Sequence, residues 1–268
     1  MGAQTNTISL EGQKSKGFNW RLFAFLLAMV TVGLLALVPY GLTLAGQELK
    51  LESISQLPVQ FVSQLVLHGF LIWVGLKLSP RVGLGVPLLS SRLAGEKQTL
   101  STRPAWLALL FGLAAGIGII LVDGYVFAPK VSVELQILGD TVRPPVWQGF
   151  LASFYGALVE EIMMRFFMMT VLVWIGGKIR STADGKPAKA VFWVAILISG
   201  LAFGIAHLPA AAALGINLSP LYIIRTLFLN AVGILYGWLY WKRGLEFAML
   251  AHFSTDLAVH VLGAFLLG

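Results

Sequence analysis

The sequence predicts an all-α, polytopic membrane protein, with about seven transmembrane helices around a polar intramembrane cavity. Three observations predict this. Apolar residues make up 57% of the 268 positions and charged residues 12%, about half of the ~25% charged content of a soluble domain. A chain so poor in charge cannot cover a water-facing surface with polar groups. The apolar residues gather in stretches of about 20, the length that crosses a bilayer as a helix. Ionisable residues also recur inside those stretches, which demands a polar interior shielded from lipid.

The elements follow in order. Met1 to Gly17 is a polar cytoplasmic tail. The first span, Phe18 to Ala45, is too long for a signal peptide, and no small-residue cleavage site follows it. Leu57 to Leu78 and Arg103 to Phe127 are the second and third spans, separated by a linker, Ser79 to Thr102, that is long enough for an interfacial segment. A second such linker, Pro129 to Val146, leads into the fourth span, Trp147 to Gly176. Lys189 to Leu208, Ser219 to Trp241 and Gly244 to Leu267 complete the count. Residues 18–268 read as one transmembrane domain. Gly112 with Gly116, Gly200 with Gly204, and Gly233 with Gly237 form small-xxx-small pairs, which bring helix backbones close together.

The loops test this count. With the tail in the cytoplasm, the cytoplasmic ends hold fourteen Lys and Arg and the opposite ends only Lys50, Lys130 and Arg143. That bias is what the positive-inside rule requires. It places the N-terminus inside and the C-terminus on the opposite side. The net charge of +7 therefore reports topology, and no nucleic-acid partner is expected. There is no cysteine, which excludes disulfides, thiolate chemistry and cysteine-ligated zinc.

A charge in the middle of a transmembrane helix costs about 2.5–3.5 kcal/mol on insertion scales, yet several are kept. The fourth span contains Glu160, Glu161 and Arg165, the fifth ends on His207, and the seventh carries His252 and Asp256. Glu161 and Arg165 lie four apart with the acid first, the favourable order for a pair on one helix face. Glu160 points about 100° away, free to face a cavity. His252 and Asp256 also share a face. The bland readings have weight: His68 and His260 suit interhelical hydrogen bonds, and Asp123 and Arg225 suit snorkelling or pairing near an interface. Glu160 has no local partner, and unpaired intramembrane acids mark sites. Counted along straight helices, however, His252 lies roughly 12 Å deep and His207 roughly 27 Å deep from the cytoplasmic side, which separates them.

A Glu with a His can activate a water by general base catalysis. Two His and two carboxylates can also hold zinc with a position open for water, although His-Glu-x-x-His is absent. Without cysteine or a serine in a nucleophile-elbow setting, a covalent hydrolase is disfavoured. Hydrolysis of an amide by an activated water suits these parts best.

Glu160-Glu161-x-x-x-Arg165, then Phe203-x-x-x-His207, then His252-x-x-x-Asp256, each in its own apolar span, resembles the CPBP family. Its members are intramembrane proteases similar to the type II CAAX prenyl endopeptidases and to bacteriocin-processing and abortive-infection proteins. The resemblance covers the last 120 residues or so, with 140–262 as the catalytic core. It implies that Glu160 is the general base, that His207 holds the water, that His252 and Asp256 form an oxyanion or metal-binding pair, and that Glu161 and Arg165 brace the site. The substrate would be a peptide or protein, lipidated or not, met within the bilayer. Asp256 stands where the prenyl endopeptidases have Asn. An ionised Asp repels an oxyanion and favours a metal, so zinc held by Glu160, His207, His252 and Asp256 and a metal-independent mechanism both stay open. Two other classes compete: a non-catalytic immunity or envelope-maintenance protein of the same fold, and an ion-coupled transporter using Glu160 and the histidines as a relay. The lack of internal repeats disfavours the transporter.

Overall fold

The computed structural model describes residues 17–48, 50, 57–96, 102–131 and 144–267. The N-terminal tail up to Lys16, with Lys97 and Arg143, lies outside them. The described residues form an all-α bundle with no strand; their one isolated β-bridge joins Ser181 to Pro187.

Six helices are long and apolar enough to cross a membrane: Trp20–Leu44, Leu57–Val82, Pro104–Lys130, Lys189–Ala213, Pro220–Arg243 and Leu245–Phe265. They match the first, second, third, fifth, sixth and seventh expected spans. The fourth expected span, which carries Glu160, Glu161 and Arg165, is helical as well but is not among the six. It starts as α5 (Val146–Tyr155), widens into π-turns over Gly156–Glu160 and Ile162–Met169, and resumes as α6 (Thr170–Ile179).

The fourth helix can carry these charges because it runs through the middle of the bundle. It packs against the first, second, fifth and seventh spans. Val159, Ile162, Phe166, Met169 and Val173 along it are fully buried. The outer helices look different. Only 17% of the most apolar stretch of Pro104–Lys130 is buried, against 50% in Leu245–Phe265. The first three helices, α1 (Trp20–Leu44), α2 (Leu57–Leu78) and α4 (Thr102–Val122), expose large apolar side chains such as Leu35, Val59 and Leu110. In water such faces would be a liability; against lipid they are the expected surface.

The Ser79 to Thr102 linker folds into a 3-10 turn and the short helix α3 (Pro87–Leu93). Glu246, at the start of α11 (Leu245–Asp256), accepts a hydrogen bond from Leu89 N at 2.9 Å, and Leu245 N donates to Gly85 O at 3.1 Å. Gly244 makes this junction at φ 107, a backbone conformation open mainly to glycine. The linker thus fixes where the last helix begins. Residues 132–143 of the other linker lie outside the described residues.

The glycine pairs do pack helices closely. On the third span, a Cβ at Gly112 would run into Ala251 O and Ser254 Oγ, and one at Gly116 into Ala258 Cβ. The bare backbone accepts hydrogen bonds instead, from Thr255 Oγ1 to Gly112 O at 2.9 Å and from Ser254 Oγ to Leu109 O at 2.8 Å. In α7 (Lys189–Ala206), Gly200 faces Gly233 and Ile234 of the sixth span, whose second half is α10 (Gly233–Arg243).

Candidate active site

One cavity of about 470 Å³ opens into the bundle and is lined by Glu160, His207, His252 and Asp256. Three different helical runs supply them. His252 is the centre of the arrangement. Its Nδ1 lies 2.8 Å from Glu161 Oε1. A carboxylate at that distance accepts, so Nδ1 carries the proton and donates it. The opposite ring nitrogen, Nε2, then faces the cavity, 3.7 Å from Glu160 Oε2 and 3.5 Å from Asp256 Oδ1. Its ring is stacked on Tyr236, with centroids 4.5 Å apart and planes at 17°. Phe203 meets it edge-on at 5.5 Å.

The two adjacent glutamates are treated differently. Glu160 lines the cavity and its side chain is 19% exposed; that of Glu161 is fully buried. Glu161 Oε1 lies 3.0 Å from Arg165 Nη1, a charge contact rather than an aligned hydrogen bond. Arg165 is also fully buried, donates from Nη2 to Gly233 O at 3.0 Å, and packs its guanidinium over the Phe203 and Tyr236 rings. Gly233 is required here, because a Cβ there would stand 2.6 Å from Arg165 Nη2. Glu161 therefore joins Arg165 on one side to His252 on the other. The bond to His252 is not readable from sequence spacing, which gives only the pair within one helix.

The separation of the histidines in straight-helix counting does not hold. His207 lines the same cavity as His252, and the Phe203 ring lies 4.8 Å from His207 and 5.5 Å from His252. The helix Lys189–Ala206 stops at His207, and Pro209 follows at the start of the short helix α8 (Leu208–Ala213). Proline lacks the N–H that would continue the ladder, so Pro209 is the sequence signal for this break. His207 Nδ1 lies 2.7 Å from Phe203 O. A carbonyl only accepts, so in the neutral ring Nε2 presents a lone pair.

Two residues of the site lie outside the charged motifs and escape a search for Asp, Glu and His. Gly156 sits in the π-turn that ends on Glu160; a Cβ there would collide with Asp256 Oδ2 and lie 2.9 Å from His252 Nε2. Tyr236 supplies the face on which His252 stacks. π-turns inside α-helices are frequent at functional sites, and apolar periodicity does not reveal them.

The remaining intramembrane polar residues divide. His68 spends Nδ1 on Gln64 O of its own helix, 2.8 Å away, and does not line the cavity. His260 does line it, with Nδ1 3.5 Å from Tyr40 Oη. Arg225 of α9 (Pro220–Leu229) clasps Asp123, with Nε to Oδ1 at 2.6 Å and Nη2 to Oδ2 at 2.5 Å. Among the described residues, no group of three or more His, Asp or Glu side chains is arranged to hold a metal ion. A zinc ion would need these side chains to close in.

Residues 142–258 match the family model described as "Type II CAAX prenyl endopeptidase Rce1-like". The match supports the resemblance to the CPBP family that the three motifs carry. All of the cavity residues that the motifs single out fall within it, as do Glu161 and Arg165. No curated protein and no solved structure matches the chain. The six long apolar helices and the family match support a multi-pass integral membrane protein.

Proposed function

We propose that the protein is an intramembrane endopeptidase that hydrolyses peptide bonds with a water activated by Glu160. The observation that carries this reading is the position of the Glu160 carboxylate. It lines a cavity enclosed by the bundle, 3.7 Å from the ring of a histidine whose other nitrogen is anchored. Catalytic hydrogen bonds are often long before substrate arrives and tighten in the Michaelis complex.

Glu160 takes a proton from the water while the water oxygen attacks the peptide carbonyl carbon. His207 Nε2 accepts the water's other hydrogen and aims the attack. The carbonyl oxygen becomes an oxyanion. In its doubly protonated form His252 donates Nδ1–H to Glu161 and Nε2–H to that oxyanion, the kind of pre-aimed donor that lowers such barriers. Glu160 then returns its proton to the leaving amine as the C–N bond breaks. Asp256 bears on the oxyanion through His252 or, when protonated, by donating directly. Glu161 and Arg165 act at one remove by fixing the His252 ring.

A peptide-cleavage assay on purified protein tests this, with and without a chelator and beside Glu160→Ala. Cleavage that survives chelation and disappears in Glu160→Ala is the expected result. Stoichiometric zinc, with activity lost on chelation and regained on zinc addition, would replace the glutamate-activated water by a metal-activated one. A wild-type protein that binds peptides without cutting any would favour a non-catalytic role for the same fold.

A further inference from the structure

The cavity wall holds one more built feature that the hydrolytic step does not use. Among the described residues that line it, Arg225 is the one Lys or Arg; Asp123, Glu160 and Asp256 are its acids. Arg165, the other arginine within the bundle, is fully buried and turned to Glu161 and Gly233. Arg225 differs in being 15% exposed at the cavity.

How Arg225 is held determines what it can do. A guanidinium has five N–H groups in a planar fork. Asp123 takes two of them by the side-on edge, from Nε at 2.6 Å and Nη2 at 2.5 Å. The Tyr222 ring packs 5.4 Å from the guanidinium carbon. Two N–H groups on Nη1 and one on Nη2 remain after the Asp123 contacts, and one from each nitrogen forms the end-on edge. Asp123 and Tyr222 fix the plane of this edge in advance, so little conformational freedom is lost when it is used. An end-on guanidinium edge matches a carboxylate with two parallel N–H···O bonds.

We propose that Arg225 anchors a carboxylate of the peptide substrate while the scissile bond lies at Glu160. The proposal rests on the endopeptidase reading and adds a substrate class to it. Elsewhere on the wall a substrate carboxylate meets Glu160 and Asp256, which repel it, and the His252 Nε2–H is taken by the oxyanion, which leaves Arg225 to receive the carboxylate. Because Asp123 already neutralises Arg225, recognition comes from aimed hydrogen bonds more than from net charge. The carboxylate belongs to the substrate's C-terminus or to an acidic side chain.

Three matched peptide libraries, cleaved by purified protein in detergent and read by mass spectrometry, separate these sources. The first has free C-terminal carboxylates and no acidic side chains. The second is the same set amidated at the C-terminus. The third is amidated and carries internal Asp or Glu. Wild-type protein is expected to cleave the first or the third with kcat/KM about ten-fold or more above the second, the size of a charge-assisted hydrogen bond. Preference for the first assigns the C-terminal carboxylate, and preference for the third an acidic side chain. Arg225→Gln should bring the preferred set down to the level of the amidated set in the same variant. Arg225→Lys should restore only part of the preference, because it lacks the fork. Equal cleavage of all three by wild type, or an equal loss on all three in a folded Arg225→Gln protein, would overturn the anchor and leave the endopeptidase reading standing. No cleavage of any library would sink that reading and the anchor with it. The wild-type comparison needs no variant to fold.

Discussion

At the scale of residues, the molecule separates two neighbouring carboxylates into two tasks. Glu161 is enclosed and committed to Arg165 and His252, while Glu160 faces the cavity. Arg165→Ala should lower folded yield and melting temperature, because leaving a buried partner unpaired typically costs about 3–5 kcal/mol. Normal yield and melting would show that the pair does not hold the helix in place. Asp256 separates the metal from the metal-independent route. Without a metal, Asp256→Asn keeps a hydrogen-bond donor beside His252 and is expected to retain or raise cleavage. With zinc it would weaken metal binding, seen as lower zinc content in the purified variant. Sequence alone places the Glu161–Arg165 pair, because i to i+4 spacing is a property of one helix. It does not place the bond between Glu161 and His252, 91 positions apart, because nothing local encodes which helices meet.

At the scale of elements, two backbone features hold the cavity groups together. The π-turn at Gly156–Glu160 brings Gly156 beneath Asp256 and His252 with no room for a methyl group. Gly156→Ala should therefore displace both side chains and lower kcat about 100-fold, the usual effect of a misplacement near 1 Å. Unchanged kcat would mean that the close approach plays no part. Gly112 lets the third span lie directly on the seventh, where Thr255 and Ser254 donate to its backbone. Gly112→Val should destabilise by about 1–3 kcal/mol through overpacking and reduce cleavage with it. Gly118→Val, on the same helix but with open space around its Cβ position, should change neither. Thermal melting in detergent checks the pair. The small-xxx-small spacing made Gly112 legible. Gly156 belongs to no such pair, and its necessity comes from a partner helix. The end of the fifth helix was legible in principle through Pro209, but a straight count of residues overrode that signal and put His207 too far from His252.

At the scale of the whole molecule, the apolar helices surround or flank the one that carries Glu160, Glu161 and Arg165. That arrangement lets a bilayer protein keep a water-accessible cavity. The charge bias of the loops predicts a cytoplasmic side for Lys77, Lys178 and Lys242. Each of them lies over a neighbouring indole, Trp73 at 4.9 Å, Trp174 at 3.7 Å and Trp241 at 3.4 Å, the residue types that gather at membrane interfaces. Since the chain has no cysteine, single cysteines report sidedness cleanly. Ser181→Cys should react with an impermeant maleimide from the cytoplasmic side and Asn217→Cys from the other; labelling of both from one side would break the topology. The order of six apolar spans was legible because hydrophobicity is additive along the chain, while the fourth expected span is helical but not among those six. The cavity was legible only as a need, since its walls are made by contacts between distant helices. The central claim is that Glu160 activates water for peptide hydrolysis inside this cavity. Its most direct test is the cleavage rate of Glu160→Gln beside wild type on the same peptides, with melting compared. The account predicts a folded variant with kcat lower by at least about 100-fold. A folded Glu160→Gln protein that cleaves at the wild-type rate would contradict it.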